Sequence, residues 1–172
     1  MKNRQKTHHQ HGSFIILNIN GKILFIQRED NGKWEIPGGG FNSDETDYKN
    51  VLLREVQEET GIILAPDTIE LCAVLGQRLK KETIAYYGGR ASAGFTFLYC
   101  ATIAPQKISL SWEHTDYRLF SHKEILSDYP QVSSGPLWFY FTYLEFCRTG
   151  KVQQGTLFEK RFFEGKEYYS KT

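Results

Sequence analysis

Charge of one sign is what this chain of 172 residues most plainly lacks: 21 lysines and arginines stand against 20 aspartates and glutamates. So close a balance gives no electrostatic footprint for a nucleic-acid partner, and without a basic block nothing suggests a membrane surface. No apolar run reaches the length of a bilayer span, and the polar residues 1–10 do not read as a secretion signal. Cysteine is scarce. Cys72, Cys100 and Cys147 are scattered and odd in number, which argues against a disulfide frame or a metal knuckle and reads as reduced core thiols in a cytoplasmic protein. Internal repeats, low-complexity segments and a clear linker are also missing. The length suits one domain with a sizeable core and is short for two.

What the chain does have is an orderly series of strand-like and helix-like segments. Residues 13–18 and 22–27 are apolar-rich and flank Asn20-Gly21, a dipeptide suited to positive φ and therefore to a hairpin turn. Residues 69–76, 95–103 and 117–120 read as further strands, and 122–126 as a short helix capped by Ser121. Residues 77–93 read as a long loop or irregular hairpin carrying Arg78, Lys80, Lys81, Tyr86, Tyr87 and Arg90. From Pro136 to Cys147 the residues are aromatic and aliphatic almost all round a helix, so this element needs burial on more than one side. It either closes the fold or presents a spare face to a second copy, as a homodimer. Residues 1–11, with His8, His9 and His11, read as a flexible terminus, 12–150 as the domain, and 151–172 as a tail with a small hairpin about Glu164-Gly165.

The centre of the chain carries the chemistry. A glycine-rich turn, Trp34-Glu35-Ile36-Pro37-Gly38-Gly39-Gly40, precedes a helical segment expected from about Asp47 to Thr60. Thr46 or Asp44 is the expected N-cap, Asp47 adds charge to the first turn, and Gly61 stops the helix. At about 100° per residue, Glu55, Glu58 and Glu59 lie within about 100° of one another and overlap the arc of Tyr48, Val51, Leu52 and Val56. Carboxylates that continue an apolar stripe repel one another and resist desolvation unless basic groups or a metal offset them. Arg54 alone cannot neutralise three. Taken on the helix alone, the run also fits a solvated face of i,i+4 charges.

These residues resemble the signature of the Nudix hydrolases, G-x5-E-x7-R-E-U-x-E-E-x-G-U with U a bulky aliphatic. The match from Arg54 to Ile62 holds at every specified position. The lead-in from Lys33 to Gly40, the strand ending Phe25-Ile26-Gln27-Arg28 and the later segment Glu113-His114-Thr115-Asp116-Tyr117-Arg118-Leu119-Phe120 are also similar to family segments. One departure stands out: eight residues separate Glu45 from Arg54 where the signature has seven. An extra residue in the loop before the helix reconciles the counts and leaves the role of Glu45 open.

The resemblance implies an α/β fold, a Nudix-type α/β/α sandwich with a mixed β-sheet, to which the C-terminal aromatic helix is added. It implies Mg²⁺, with Mn²⁺ as a substitute, held by Glu55 and Glu59 with Glu58 and the Gly38 carbonyl assisting, and with Arg54 orienting the glutamates. The general base varies in the family, and Glu58 and Glu113 are both candidates. The glycine turn, Gly39 and Gly40 included, allows backbone to approach substrate closely. Substrate contacts are expected from Arg28, Arg78 and Tyr86, cations for phosphate and a ring for a base. The implied reaction is pyrophosphohydrolysis of a nucleoside diphosphate linked to another moiety, first a nucleoside triphosphate, whether oxidised or not. A nucleotide-sugar or ADP-ribose pyrophosphatase and a nucleotide-binding domain without turnover remain as alternatives.

Overall fold

The Asn20-Gly21 turn adopts the backbone its composition favours, with φ of 52° and 76°, and joins β1 (Gly12–Ile19) to β2 (Lys22–Arg28) as an antiparallel pair. The computed structural model describes residues 11–42, 44–78, 93–127 and 134–156. After β2 come two short strands, β3 (Trp34–Glu35) and β4 (Gly38–Gly40), and then helix α1 (Tyr48–Thr60). A single 3₁₀ turn (Pro66–Thr68) leads into β5 (Glu70–Arg78), β6 (Ala93–Ile103) and β7 (His114–Phe120). Helices α2 (His122–Ser127) and α3 (Ser134–Thr149) precede a last strand, β8 (Gln153–Thr156).

The sheet runs β3-β2-β1-β6-β5-β8, with β4 also paired to β1 and β7 to β2. β1 lies parallel to β6, and β5 parallel to β8, while the remaining pairs are antiparallel, so the sheet is mixed. Its two faces can be read off β1. Ile15, Leu17 and Ile19 join Leu52 and Val56 of α1 in one core, whereas Ile16 joins Phe25, Ile36, Leu137 and Phe141 in the other. Because successive side chains of a strand point to opposite faces, a strand buried on both sides reads as an unbroken apolar run. Each such fully buried side chain contributes about 1.5–3 kcal/mol. The α/β/α sandwich with a mixed sheet is therefore the observed architecture.

Helix α3 closes the second face: Leu137, Phe139, Tyr140, Phe141 and Thr142 are buried, and α3 contacts β1, β3, β5, β6 and β8. Among the described residues no helix is long and apolar enough to cross a membrane. Ser121 caps α2 reciprocally with Glu124. The Ser121 backbone N–H donates to Glu124 at 2.8 Å, and the Glu124 N–H donates to the Ser121 hydroxyl oxygen at 3.3 Å. The Ser121 hydroxyl, which donates to the Glu124 carboxylate at 2.6 Å, the Ser121 N–H and the nearby Arg118 hold the Glu124 carboxyl down at about 2.

The structure corrects or adds to four local expectations. Asp47, not Thr46 or Asp44, is the N-cap of α1; its extended backbone lets the carboxylate accept from the Lys49 and Asn50 N–H groups at 2.8 and 2.9 Å. Of the cysteines only Cys72 is fully buried, and Cys147 is exposed on α3. His11 is placed: its Nδ1 accepts from the Phe95 N–H at 3.2 Å and its ring stacks on Phe95. The sheet also continues past residue 150, since β8 lies in the segment read from sequence as a tail. His8, His9, residues 79–92 and the turn at Glu164-Gly165 lie outside the described residues.

Candidate active site

Helix α1 ends as its sequence predicts, with Gly61 at φ 70° and its N–H bonded to the Gln57 carbonyl. Within its last turns Glu55 and Glu59 are turned into the protein, 6% and 8% exposed. The third carboxylate behaves differently. Glu58 stands at the edge of the same arc and its side chain is 54% exposed, so two of the three carboxylates face inward and one faces solvent.

The glycine turn is built around these carboxylates. β4 pairs with the start of β1, Gly38 opposite Phe14 and Gly39 opposite Ser13. Gly38 has φ 141°, and a Cβ there would sit 2.3 Å from the Ser13 carbonyl oxygen. Gly39 needs to be small for another reason: a Cβ would come within 2.6 Å of the Glu55 carboxyl carbon. One glycine thus serves the backbone and the next makes room for a carboxylate. The Gly38 N–H donates to Glu59 Oε2 at 2.9 Å, tying turn to helix.

Arg54 binds three carboxylates. Its Nε and Nη2 donate to the two oxygens of Glu45 at 2.6 and 2.9 Å, a fork geometry in which both partners are charged. Its Nη1 lies 2.8 Å from Glu55 Oε1 and 3.1 Å from Glu58 Oε2, and its Nη2 donates to the Gly40 carbonyl at 3.2 Å. The extra residue of the loop thus leaves Glu45 bound to Arg54, and the Glu45 carboxylate also accepts from the Asn42 N–H at 2.6 Å.

The Arg54 contacts are thus to Glu45, Glu55, Glu58 and Gly40. Burial pushes the Glu59 carboxyl up from 4.5 to about 8; the Gly38 N–H opposes that rise, and the charges of Glu55, Glu35 and Glu113 add to it. On the far side of Glu59 lie two residues that motif reading quoted without giving them a role. Ligand atoms of Glu35, Glu59 and His114 all lie within 4.8 Å of one another. His114 Nε2 is 3.3 Å from Glu35 Oε1 and 3.9 Å from Glu59 Oε1. The local signal was available in part: Glu35 is a lone charge between Trp34 and Ile36, and His114 follows a candidate base.

Oxygen donors from buried carboxylates, crowded enough to raise the affinity of one for a proton, suit a hard divalent cation such as Mg²⁺ or Mn²⁺. Glu55 and Glu59 could hold such an ion, with Glu58 at the solvent side. The other expected residues are distributed as follows. Glu113 is half-buried, adds to the field on Glu59 and accepts from the Glu29 N–H at 2.9 Å through its carbonyl. Arg28 stands beside Glu35 at 3.4 Å and is more tightly paired with Asp30 at 2.8 Å. Arg78 ends β5, with its side chain outside the described residues, as is the whole of Tyr86.

A NUDIX domain family model matches residues 7–154. Over 55 residues, 32% of this chain and 35% of the relative, the chain is 46% identical to a MutT-like protein of Streptomyces ambofaciens. Over 113 residues, 63% of this chain and 54% of the relative, it is 26% identical to an RNA pyrophosphohydrolase of Xanthomonas campestris pv. campestris. The matches thus span between about a third and about half of these curated relatives. Among solved structures, the NUDIX domain of Shewanella oneidensis NrtR complexed with ADP ribose superposes with a TM-score of 0.62 at 17% identity, covering 84% of this chain and 92% of that one. At that identity the likeness concerns the fold.

Proposed function

Because this chain belongs to the NUDIX domain family, we propose that it is a divalent-cation-dependent pyrophosphohydrolase acting on a nucleoside diphosphate linked to another moiety, with nucleoside triphosphates, oxidised or not, as its first substrate class. The observation that carries the reading is Glu59, buried and crowded by Glu55, Glu35 and Glu113, in a cage where Arg54 serves Glu45, Glu55 and Glu58. Such a cage suits a cation rather than a purely structural role.

Glu55 and Glu59 would be the principal ligands of Mg²⁺ or Mn²⁺, with Glu58 and the Gly38 carbonyl assisting. When bound, such an ion supplies Lewis acidity toward a phosphoanhydride and eases deprotonation of a water. The chain's own groups do the rest. Arg54, anchored by Glu45, fixes the direction of Glu55 and Glu58. Glu113 or Glu58 takes the proton of the attacking water. The water oxygen forms a bond to one phosphorus, the bridging P–O bond breaks, and the departing phosphate keeps the electron pair. Gly39 and Gly40 let backbone approach the polyphosphate, and Arg28, Arg78 and Tyr86 are the proposed substrate contacts. The partner is a small nucleotide, and the setting proposed is cytoplasmic.

The alternative of a nucleotide-binding domain without turnover drew its support from the longer loop before α1. The Glu45–Arg54 pair weakens that argument, because with the extra residue in place Glu45 still forks with the Arg54 guanidinium. The test is release of phosphate and pyrophosphate with Mg²⁺ or Mn²⁺ from nucleoside triphosphates, oxidised deoxynucleotides, nucleotide sugars, ADP-ribose, dinucleoside polyphosphates and triphosphate-ended RNA. The last is included because relatives are RNA pyrophosphohydrolases. Metal-dependent pyrophosphate release from a triphosphate, lost in Glu59→Gln with the fold intact, is the expected result. Undiminished turnover in Glu59→Gln would overturn the assignment.

A further inference from the structure

We infer that His114, itself buried, is a positioning residue for Glu59, acting through a brace formed with Glu35, Ser111 and Arg28. The inference rests on the reading of Glu59 as a metal ligand given above. The imidazole is fully buried. Its Nδ1 lies 3.2 Å from the Ser111 hydroxyl, and its Nε2 faces two carboxylates, Glu35 at 3.3 Å and Glu59 at 3.9 Å. That surrounding selects the tautomer. A bare Nε2 lone pair aimed at two carboxylates is repulsive, whereas Nε2–H donating toward them, with the Ser111 hydroxyl donating to Nδ1, satisfies both ring nitrogens.

The segment that carries His114 also grips Glu59 through the backbone. The Ser111 N–H donates to the Glu59 carbonyl at 3.1 Å, and the Ser109 N–H donates to the Thr60 carbonyl at 2.8 Å. Glu59 is thus held on three sides: its carbonyl by Ser111, Oε2 by the Gly38 N–H at 2.9 Å, and Oε1 by the neighbourhood of Nε2–H. Glu35 is fixed in turn by His114 and by Arg28 Nη1 at 3.4 Å. The contact to Glu59 is longer than a hydrogen bond, so His114 works chiefly by pinning Glu35 and keeping a donor between two like charges. Remove that donor, and Glu35 and Glu59 face each other across an apolar gap. The cheapest relief is for the Glu59 carboxylate to rotate away from Glu55.

Groups in this supporting position typically change metal affinity or activity by about 10- to 100-fold when removed. The experiment is Mn²⁺ binding to the metal-free full chain, followed by electron paramagnetic resonance and calorimetry, for wild type, His114→Phe, His114→Gln and Glu35→Gln. His114→Phe is expected to bind Mn²⁺ about 10- to 100-fold more weakly, with kcat falling and nucleotide KM little changed. His114→Gln keeps an N–H donor and is expected to restore much of the loss. In the double variant that joins His114→Phe to Glu35→Gln the two effects are expected not to add, because both act through one brace. A folded His114→Phe that binds Mn²⁺ like wild type overturns the inference. Should His114→Phe not fold, a folded His114→Leu, which also lacks the donor, overturns it by binding Mn²⁺ like wild type. Wild type that binds no Mn²⁺ removes instead the reading of Glu59 as a ligand.

Discussion

The adjacent glycines of the turn should fail in different ways when each is given one methyl group. At Gly38 the new Cβ meets backbone, the Ser13 carbonyl at 2.3 Å and the Phe14 Cα at 2.6 Å, on a residue whose φ is 141°. Neither atom can leave without breaking the β1–β4 ladder. Strain of about 1–3 kcal/mol for the dihedral and about 1–3 kcal/mol for overpacking sum to roughly 2–6 kcal/mol. That is a large part of the roughly 5–15 kcal/mol that holds a domain together. At Gly39 the obstruction is the Glu55 carboxylate, within 2.8 Å at all three of its terminal atoms. A carboxylate at the end of a flexible chain can swing aside, giving up its 2.8 Å bond to Arg54, at about 1–2 kcal/mol. Gly38→Ala should therefore be mainly a stability variant. Gly39→Ala should stay folded yet bind Mn²⁺ at least about tenfold more weakly, as expected when a ligand is displaced. Urea unfolding of the metal-free proteins and Mn²⁺ titration measure the two quantities separately. The reasoning is refuted if Gly39→Ala binds Mn²⁺ like wild type, or if Gly38→Ala is as stable as Gly39→Ala.

Other expectations follow from the same geometry. Glu59 has its carboxyl pushed up from 4.5 to about 8, so the folded state holds more protons than the unfolded between those values. Stability of the metal-free protein should then be greatest in this respect below pH 4.5 and fall as pH rises through about 8, by on the order of a few kcal/mol. Denaturant unfolding across that range should show the slope in wild type and lose it in Glu59→Gln; an equal slope in both would count against the assignment. By the same linkage, Mg²⁺ binding near neutral pH should release about one proton, read by calorimetry in buffers of differing ionisation enthalpy. Glu45→Gln removes a charge from the forked pair with Arg54 and should lower stability by about 1–3 kcal/mol and reduce kcat more than it raises KM. Asp47→Ala removes the cap of α1 and should cost about 0.5–2 kcal/mol in unfolding measurements with Mn²⁺ affinity unchanged.

Much of this was legible because it is local. Gly61, the Asn20-Gly21 turn and the inward pair Glu55 and Glu59 follow from spacing and backbone preference, and the apolar run of β1 announces a strand covered on both faces. The exceptions have physical reasons. The N-cap was misplaced because Asp44, Thr46 and Asp47 are all capping types by composition, and only the path of the chain decides that the Asp47 carboxylate reaches the first free N–H groups. Glu58 was grouped with its neighbours because a helical wheel gives direction without showing where the protein surface ends. Glu35 and His114, 79 residues apart, meet only because β7 pairs with β2, with His114 opposite Arg28, and β3 pairs with β2 from the other side. Register between distant strands has no signature in either segment alone. β8 was missed for a related reason: Gln153–Thr156 carries no alternating apolar pattern and is a strand by virtue of the edge beside it.

That edge has a consequence for handling the protein. β8 covers β5 from Ala73 to Gly76 in parallel register, and without it β5 would end the sheet with a row of unpaired amide and carbonyl groups. Such a border is a template for pairing with another molecule. A chain cut at Gly150, tidy by sequence, would retain every candidate metal ligand and could still be lost as precipitate. Its solubility, rather than its chemistry, would carry the mark of the lost strand Gln153–Thr156.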